Sequence, residues 1–181
     1  MSAMNIVKTV SALGSILLLT ACSHLTDRPS SDVDLALIQN ADILNLSMQD
    51  NHVFASGQPS QTQLKVIAEA GVQHVISLRA ATELDWDEAE TVQSVGMQFH
   101  ALPISGREDV TPTNADLLEQ LLKKLSGQPV LVHCGSSNRV AALKTLTASE
   151  SGMSTDAALE VGRGWGLTKM EPVMRAILEL D

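Results

Sequence analysis

The chain has 181 residues, a length typical of a single domain. Hydrophobic residues make up 44% and charged residues 18%, which supports a folded core and excludes a disordered chain. The formal net charge is −9, so nucleic acid is not an expected partner, because phosphate backbones are bound by basic surfaces. With two Phe, two Trp and no Tyr, the core should be aliphatic.

The first 21 residues have the pattern of a signal peptide. Lys8 precedes an apolar run over residues 10–19, which is shorter than the about 20 residues needed to span a bilayer and fits the central region of a removed leader. Leu19-Thr20-Ala21-Cys22 resembles the lipobox of bacterial lipoproteins, which implies a lipid on Cys22 and membrane attachment. The alternative is a plain secreted protein. Ser23, which is not acidic, favours the outer membrane facing the periplasm.

The predicted organisation is a signal peptide over residues 1–21, a polar tether over 22–36 and one domain over 37–181. Pro29, Ser30 and Ser31 give the tether its linker-like composition. Lipidation of Cys22 would leave Cys134 as the only free thiol of the mature chain, so no disulfide is expected.

The predicted elements of the domain alternate between strands and helices. Strands are expected at residues 43–46, 53–56, 74–78, 97–104 and 130–132. Helices are expected from Ser60 (with Gln63 in a capping box), over 85–95, from a cap at Thr113, over 139–150, and near 156–161 and 172–180. This alternation predicts an α/β fold with a mostly parallel central sheet flanked by helices.

The segment from His133 to Arg139 has the composition of an anion-binding loop. It follows the strand at 130–132, and ligands in such folds bind beyond the carboxyl ends of strands. Small residues turn the chain, so that free backbone N–H groups and the start of a helix can face an anion. Arg139 adds a planar fork of donors. These groups should favour the thiolate of Cys134, a nucleophile suited to displacement at phosphorus or sulfur.

The run from His133-Cys134 to Arg139 resembles the signature loop of the protein tyrosine and dual-specificity phosphatases. Three further segments are similar to a bacterial branch of that superfamily, the domain also found in beta-lactamase-like hydrolase fusions. They are Ala55-Ser56-Gly57-Gln58-Pro59, Val75-Ile76-Ser77-Leu78-Arg79 and Gly162-Arg163-Gly164-Trp165-Gly166-Leu167.

This resemblance implies a phosphatase-like fold and a phosphoric monoester hydrolase acting on a phosphorylated substrate, without a cofactor. Cys134 would be the nucleophile, and Arg139 would hold the phosphate together with Gly135, Ser136, Ser137 and Asn138. His133 is expected to fix the loop by hydrogen bonds.

The loop departs from the tyrosine phosphatases in its length. Four residues separate Cys134 from Arg139, whereas those enzymes have five, and the six-residue loop is also that of the rhodanese-type sulfurtransferases. Val140 and Ala141 stand where the phosphatases usually place a hydroxyl that helps to expel the thiolate; Ser136 or Ser137 is a candidate substitute.

A phosphatase also needs a general acid for the leaving oxygen. The loop over residues 103–109 follows a predicted strand, and Asp109 is the candidate, with Glu108 second; a solvated charged loop is the alternative. The histidines show no metal-ligand spacing, so no metal is expected. The glycines at 162, 164 and 166 should let two helices meet closely, with Arg163 at the surface.

Three functions are consistent with this loop. The first is a phosphatase that forms a cysteinyl-phosphate. The second is a sulfurtransferase that carries a persulfide on Cys134. The third is a non-catalytic module that binds phosphorylated or sulfated ligands at the cell envelope.

Overall fold

The structure, a computed structural model, describes residues 33–179. The predicted signal peptide, Cys22 and most of the predicted tether lie outside these residues. Helix α1, Leu35–Gln39, begins within the last residues of the segment predicted as tether, and its Ile38 is buried. None of the helices within residues 33–179 is long and apolar enough to cross a membrane.

Strands and helices alternate along most of the described chain. The strands are β1 (Ser47–Met48), β2 (Val53–Ser56), β3 (His74–Ser77), β4 (Gln98–Ala101) and β5 (Val130–His133). The helices that follow α1 are α2 (Gln61–Glu69), α3 (Glu88–Ser94), α4 (Pro112–Lys124), α5 (Asn138–Glu150), α6 (Thr155–Gly164) and α7 (Glu171–Leu178). Two short 3₁₀ turns, Ala81–Glu83 and Arg107–Asp109, precede α3 and α4.

The strands form one sheet in the order β1-β2-β5-β3-β4. β2, β5, β3 and β4 are parallel, and only β1 pairs in the antiparallel direction. Every residue of β3 and β5 is buried, as expected for parallel strands covered on both faces. The predicted α/β fold with a mostly parallel central sheet is confirmed.

An aliphatic core lies on each side of the sheet. One contains Leu118, Leu143, Leu159 and Met174 from helices α4 to α7. The other contains Leu64 and Ile67 of α2 and Val92 of α3, with Phe54 as its buried ring. The position of β5 between β2 and β3 sets its carboxyl end at the middle of the sheet edge.

Two local predictions differ from the structure. Residues 43–46 do not form a strand, because Asp42 and Asn45 have left-handed backbones with φ of 51° and 50°. Helix α4 is capped by Thr111 rather than Thr113, with the Asn114 amide donating to the Thr111 hydroxyl at 3.3 Å. Pro112 fits the first helical position, because the N–H that proline lacks would have no hydrogen-bond partner within the helix there.

Candidate active site

Cys134 lies directly after β5, at the edge where β2 and β3 also end. The segment up to Ser137 turns the chain into α5, of which Arg139 is the second residue. The Cys134 residue is 1% exposed, whereas Gly135 and Ser136 are partly exposed. The thiol therefore lies at the base of the predicted anion-binding loop.

The turn after β2 holds the backbone of this loop. The backbone N–H of Gln58 donates to the Gly135 carbonyl at 3.4 Å, and Gly57 forms a backbone bridge with Ser136. A Cβ at Gly57 would lie 3.0 Å from the Leu44 side chain, so any larger residue would crowd this turn. The segment Ala55–Pro59, singled out in the sequence, is thus a structural partner of the loop from Cys134 to Ser137.

Ser137 and Asn138 use their side chains to bind the connection between α6 and α7. The Ser137 hydroxyl donates to the Trp165 carbonyl at 2.8 Å. The Asn138 side-chain oxygen accepts from the amides of Thr168 and Met170 at 3.0 and 3.1 Å. Both residues can still offer backbone amides to an anion, but the Ser137 hydroxyl is engaged elsewhere and is poorly placed to expel a thiolate.

Ser137 is also strained. Its φ of 65° lies in the left-handed region, which is uncommon for residues other than glycine and clusters at functional sites. Gly166, with a φ of +93°, packs against it, and a Cβ at Gly166 would lie 2.9 Å from the Ser137 Cβ. The short loop therefore enters α5 through a strained residue supported by the α6–α7 connection.

Arg139 is held by the carboxylate of Glu83. Nη1 and Nη2 donate to the two carboxylate oxygens at 2.8 Å each, and Nη1 also donates to the Ile104 carbonyl. The bidentate pair lowers the pKa of Glu83 to about 2 and raises that of Arg139. Within residues 33–179 the Arg139 Nε has no acceptor, and a Cβ at Gly135 would lie 3.5 Å from Nη2. The guanidinium is thus fixed against the loop with Nε available to a ligand.

Sequence reasoning missed Glu83. It lies 56 residues from Arg139, in the 3₁₀ turn after β3, and only the fold brings the two together. Its single local signal is its place four residues after Arg79, whose Nε donates to the Glu83 carboxylate at 3.3 Å. Arg79 also donates to the Gln58 side chain at 3.0 Å, so one arginine joins the turns after β2 and β3.

His133 lies behind the loop in a buried polar cluster. Its Nε2 lies 3.1 Å from Oε1 of Glu88 in a contact that is not aligned as a hydrogen bond, and Nδ1 has no partner within residues 33–179. Glu88 also accepts from the Ser77 hydroxyl at 2.8 Å and from the side-chain amide of Gln58. Burial raises the pKa of Glu88, but His133 and these donors outweigh it and hold the pKa below its ordinary value. The expected hydrogen bonds from His133 to the loop are therefore replaced by a contact with Glu88.

Asp109 ends the second 3₁₀ turn, in the loop that follows β4. Its carboxylate accepts from the Ser105 amide at 2.8 Å, and its carbonyl accepts from the Asn114 side chain at 2.7 Å. This loop leaves the sheet next to Arg139, since Ile104 contacts the guanidinium. In the described conformation Asp109 closes its own turn, and its role as the general acid stays a prediction, as does the second choice, Glu108.

The glycine-rich segment near the end packs α6 against α5. A Cβ at Gly162 would lie 2.1 Å from the Thr145 hydroxyl, so only glycine fits this helix contact. Arg163 donates to Glu160 at 2.7 Å and to Glu171 at 3.0 Å on the surface. The predicted close approach of two helices is confirmed, and Arg163 is a surface residue.

A cavity of about 300 Å³ lies beside the Glu83 turn. Its lining includes Arg79, Leu84, Trp86, Glu88, Phe99 and Ala101. Two of the four aromatic residues of the chain are among them. No group of three or more metal-ligating side chains that could hold an ion occurs in the part of the chain that the structure describes.

A cysteine, a fixed arginine and a short loop at the carboxyl end of a central parallel strand are the features of the cysteine-based tyrosine and dual-specificity phosphatase superfamily. The chain belongs to the Swiss Army Knife DSP-PTPase phosphatase domain family (PTP-SAK), whose model matches residues 47–138. The match ends one residue before Arg139. The superfamily predicted from the sequence is confirmed.

Solved structures share this fold. A DUF442 protein of Shewanella putrefaciens CN-32 is 25% identical over 79% of this chain and 92% of its own, with a TM-score of 0.57. Tk-PTP in its active form is 20% identical over 75% and 97%, with a TM-score of 0.57. The catalytic core of the PP-IP phosphatase Siw14 of S. cerevisiae is 17% identical over 76% and 85%, also with a TM-score of 0.57. No curated protein matches the sequence.

Proposed function

We propose that this protein is a phosphoric monoester hydrolase that acts through a cysteinyl-phosphate in the periplasm. The observation that carries the proposal is the Arg139 guanidinium, which Glu83 fixes against the loop that begins at Cys134. A phosphate held by the loop amides and by Nε of Arg139 would have its phosphorus next to the sulfur. Such fixed donors act mainly by stabilising the charge of the transition state.

The proposed reaction has two displacements. The Cys134 thiolate attacks phosphorus, forming an S–P bond while the P–O bond to the leaving group breaks. Asp109 gives the leaving oxygen its proton, which requires its carboxylate to leave the Ser105 amide. A water molecule then attacks the phosphocysteine, the thiolate leaves, and inorganic phosphate is released.

The test is hydrolysis of p-nitrophenyl phosphate by the purified chain under reducing conditions. Cys134→Ser should remove turnover, and Arg139→Lys should lower kcat/KM by at least about 100-fold, because a lysine cannot form the bidentate contact with Glu83. Asp109→Asn should lower kcat mainly for leaving groups that need a proton. Equal rates for wild type and Cys134→Ser would reject the cysteine mechanism.

We propose a substrate that carries a single phosphate group. Arg79 and Arg139 share Glu83 as a counter-ion. The neighbouring loops contain one further basic side chain, Arg107, and four acidic ones, Asp85, Asp87, Glu108 and Asp109. A densely charged polyphosphate would meet more acidic than basic groups at this edge. Comparison of p-nitrophenyl phosphate with inorganic tripolyphosphate should show a higher kcat/KM for the aryl phosphate.

The spacing of four residues between Cys134 and Arg139 supports a second candidate, sulfur transfer. In that reaction the thiolate attacks the outer sulfur of thiosulfate, sulfite leaves, and Cys134 carries a persulfide. Mass spectrometry of the Cys134 peptide after thiosulfate treatment would show one added sulfur atom. A bare thiol counts against this candidate. Phosphate binding that survives Cys134→Ser, with no turnover by the wild type, would instead support an oxyanion-binding module.

We also propose that Cys22 carries the lipid that attaches the mature protein to the outer membrane, facing the periplasm. The lipobox-like sequence and the following Ser23 support this placement. Labelling of bacterial cells with a palmitate analogue should mark the wild-type chain and not Cys22→Ala. Equal labelling of the two chains would reject the assignment.

A further inference from the structure

The turn before β1 lies against the loop that follows Cys134 and is not used by the two displacements proposed above. The side-chain N–H of Asn45 donates to the Ser136 carbonyl at 3.0 Å. One residue earlier, the Leu44 carbonyl accepts from the backbone N–H of Gly57 at 2.7 Å, and Gly57 in turn bridges to Ser136. The turn is therefore joined to the loop both directly and through the segment after β2, although 91 residues separate Asn45 from Ser136.

Asn45 holds a backbone conformation that few residue types adopt. Its φ of 50° lies in the left-handed region, which asparagine tolerates better than most residues with a side chain. The residue is exposed, so the burial of apolar surface does not explain its position. Only the nitrogen of its side-chain amide can donate to a carbonyl oxygen, so the contact with Ser136 also fixes which way the amide faces.

The peptide between Ser136 and Ser137 would relax if nothing held it. The left-handed φ of Ser137, 65°, costs free energy in a residue other than glycine. Rotation of this peptide by half a turn would bring that φ back to the ordinary negative region. Because a trans peptide points its N–H and its C=O in opposite directions, the rotation would also exchange the Ser136 carbonyl and the Ser137 N–H. The loop would then present an acceptor on the side where it now presents a donor.

Two side-chain amides hold the Ser136 carbonyl in its present orientation. Asn45 donates to it at 3.0 Å and Asn138 at 3.3 Å. The Asn138 nitrogen is shared, because it also donates to the Thr168 hydroxyl at 3.0 Å. The Asn45 side chain makes no other hydrogen bond within residues 33–179. It is thus the donor dedicated to this carbonyl.

We propose that Asn45 is a positioning residue whose hydrogen bond to Ser136 keeps the Ser136–Ser137 peptide in the orientation that binds phosphate, against the relaxation of Ser137. The proposal rests on the phosphate-binding function proposed above and adds a residue that acts through the loop rather than on the substrate. One of its tests requires neither a ligand nor turnover, so that the two proposals can fail separately.

The first test is hydrolysis of p-nitrophenyl phosphate by the purified chain carrying Asn45→Gly, which keeps the left-handed backbone accessible and removes the donor. KM should rise about fivefold, the effect of one lost hydrogen bond. The kcat should change little, because saturating substrate selects the phosphate-binding orientation of the loop. A variant that was merely less folded would lose kcat at an unchanged KM. An unchanged KM therefore overturns the proposal.

Asp42→Gly is the matched control. Asp42 is the other residue of this turn with a left-handed backbone, with a φ of 51°. Within residues 33–179 it is bound through its backbone carbonyl, which accepts from the Gln63 side chain, and not through its carboxylate. Its KM should equal that of the wild type. An equal rise in KM for the two glycine variants would assign the effect to a looser turn and overturn the role of the Asn45 donor.

The second test follows the loop without a ligand. A fivefold rise in KM requires most of the free variant to hold the relaxed orientation. The ¹³Cα and ¹³Cβ shifts of Ser137, which report its backbone conformation, should therefore move from left-handed towards extended values in Asn45→Gly and stay unchanged in Asp42→Gly.

Asn45→Asp serves if the glycine variant fails to fold, because aspartate also tolerates the left-handed backbone but has no N–H to donate at neutral pH. It should move the Ser137 shifts in the same direction. Wild-type shifts in both Asn45 variants would overturn the proposal. A wild type that neither binds nor hydrolyses phosphate esters would reject the proposed function, and the Ser137 shifts would still decide whether Asn45 holds the loop.

Discussion

Carboxylates, rather than additional basic residues, organise this anion-binding site at the scale of single residues. Glu83 takes the outer edge of the Arg139 guanidinium, and Glu88 lies against His133 behind the thiol. Glu83 orients the Arg139 guanidinium through two hydrogen bonds, so this cation holds a fixed position before a ligand arrives. Donors that are already fixed need little reorganisation as charge develops on the phosphate, and this lowers the free energy of the transition state.

The Glu83–Arg139 pair should make the free energy of unfolding depend on pH in the acidic range. The pKa of Glu83 is about 2 in the folded chain against an ordinary value of 4.5, so the pair stabilises the fold fully above pH 4.5. This contribution is lost as the pH falls from about 4.5 to about 2. Urea unfolding at pH 7 and pH 3 should show that the difference in unfolding free energy between wild type and Glu83→Gln shrinks at the lower pH. Glu90→Gln, a change at an exposed carboxylate of α3, should show no such difference.

Gly166 supports the strained Ser137. The substitution Gly166→Ala forces a side chain into a left-handed backbone and against the Ser137 Cβ. We expect a loss of about 1–3 kcal/mol in unfolding free energy, together with a lower kcat for aryl phosphate hydrolysis. Gly164→Ala is the control, because its Cβ would meet nothing within 4 Å, and it should be neutral or slightly stabilising. Similar losses for both variants would contradict the packing argument.

The residue after Arg139 should affect the rate at which the phosphocysteine intermediate is hydrolysed. Val140 is fully buried and apolar, so no hydroxyl there assists the departure of the thiolate from phosphocysteine. Rapid mixing with p-nitrophenyl phosphate should give a burst of about one equivalent of nitrophenol and then a slower steady rate. Val140→Thr, nearly equal in volume, should raise the steady rate with the burst amplitude unchanged. A linear time course in the wild type would show that hydrolysis of the intermediate is not limiting.

Elements whose signals are local matched the sequence prediction best. Helix α2 begins at Ser60 with the predicted capping box, because Ser60 and Gln63 satisfy each other within one turn. The predicted strand at 43–46 failed because the apolar pattern of Ile43, Leu44 and Leu46 does not reveal the left-handed backbone of Asn45. The spacing of apolar residues indicates which side chains are buried, but not the backbone conformation. In this segment the Leu44 carbonyl accepts a hydrogen bond from the Gly57 N–H in the turn after β2.

The contact between α5 and α6 gives a prediction at the scale of elements. Gly162→Ala would place a Cβ 2.1 Å from the Thr145 hydroxyl, and we expect a loss of about 1–3 kcal/mol by chemical denaturation. Thr145→Ala in the same chain removes the clashing oxygen and should restore part of that loss. The double-mutant cycle should therefore give a favourable coupling between the two substitutions. Additive losses would show that the two helices adjust without the contact.

At the scale of the whole molecule, the loop itself could be predicted from the sequence, but the side chains that support it could not. Cys134 and Arg139 lie five residues apart and follow a recognisable strand, so local sequence is sufficient to find them. Glu83 reaches Arg139 across 56 residues, and Glu88 reaches His133 across the sheet edge. Such contacts exist only once β3 and β5 are paired, and one sequence carries no signal of that pairing.

The two tryptophans give this molecule an internal optical reporter. The chain has no tyrosine, so its near-ultraviolet emission comes from Trp86, in the cavity beside the Glu83 turn, and from Trp165, whose carbonyl binds Ser137. Vanadate titrated into Cys134→Ser should change the emission, and Trp86→Phe would assign the change to one of the two tryptophans, so that occupancy of the loop can be followed without a label.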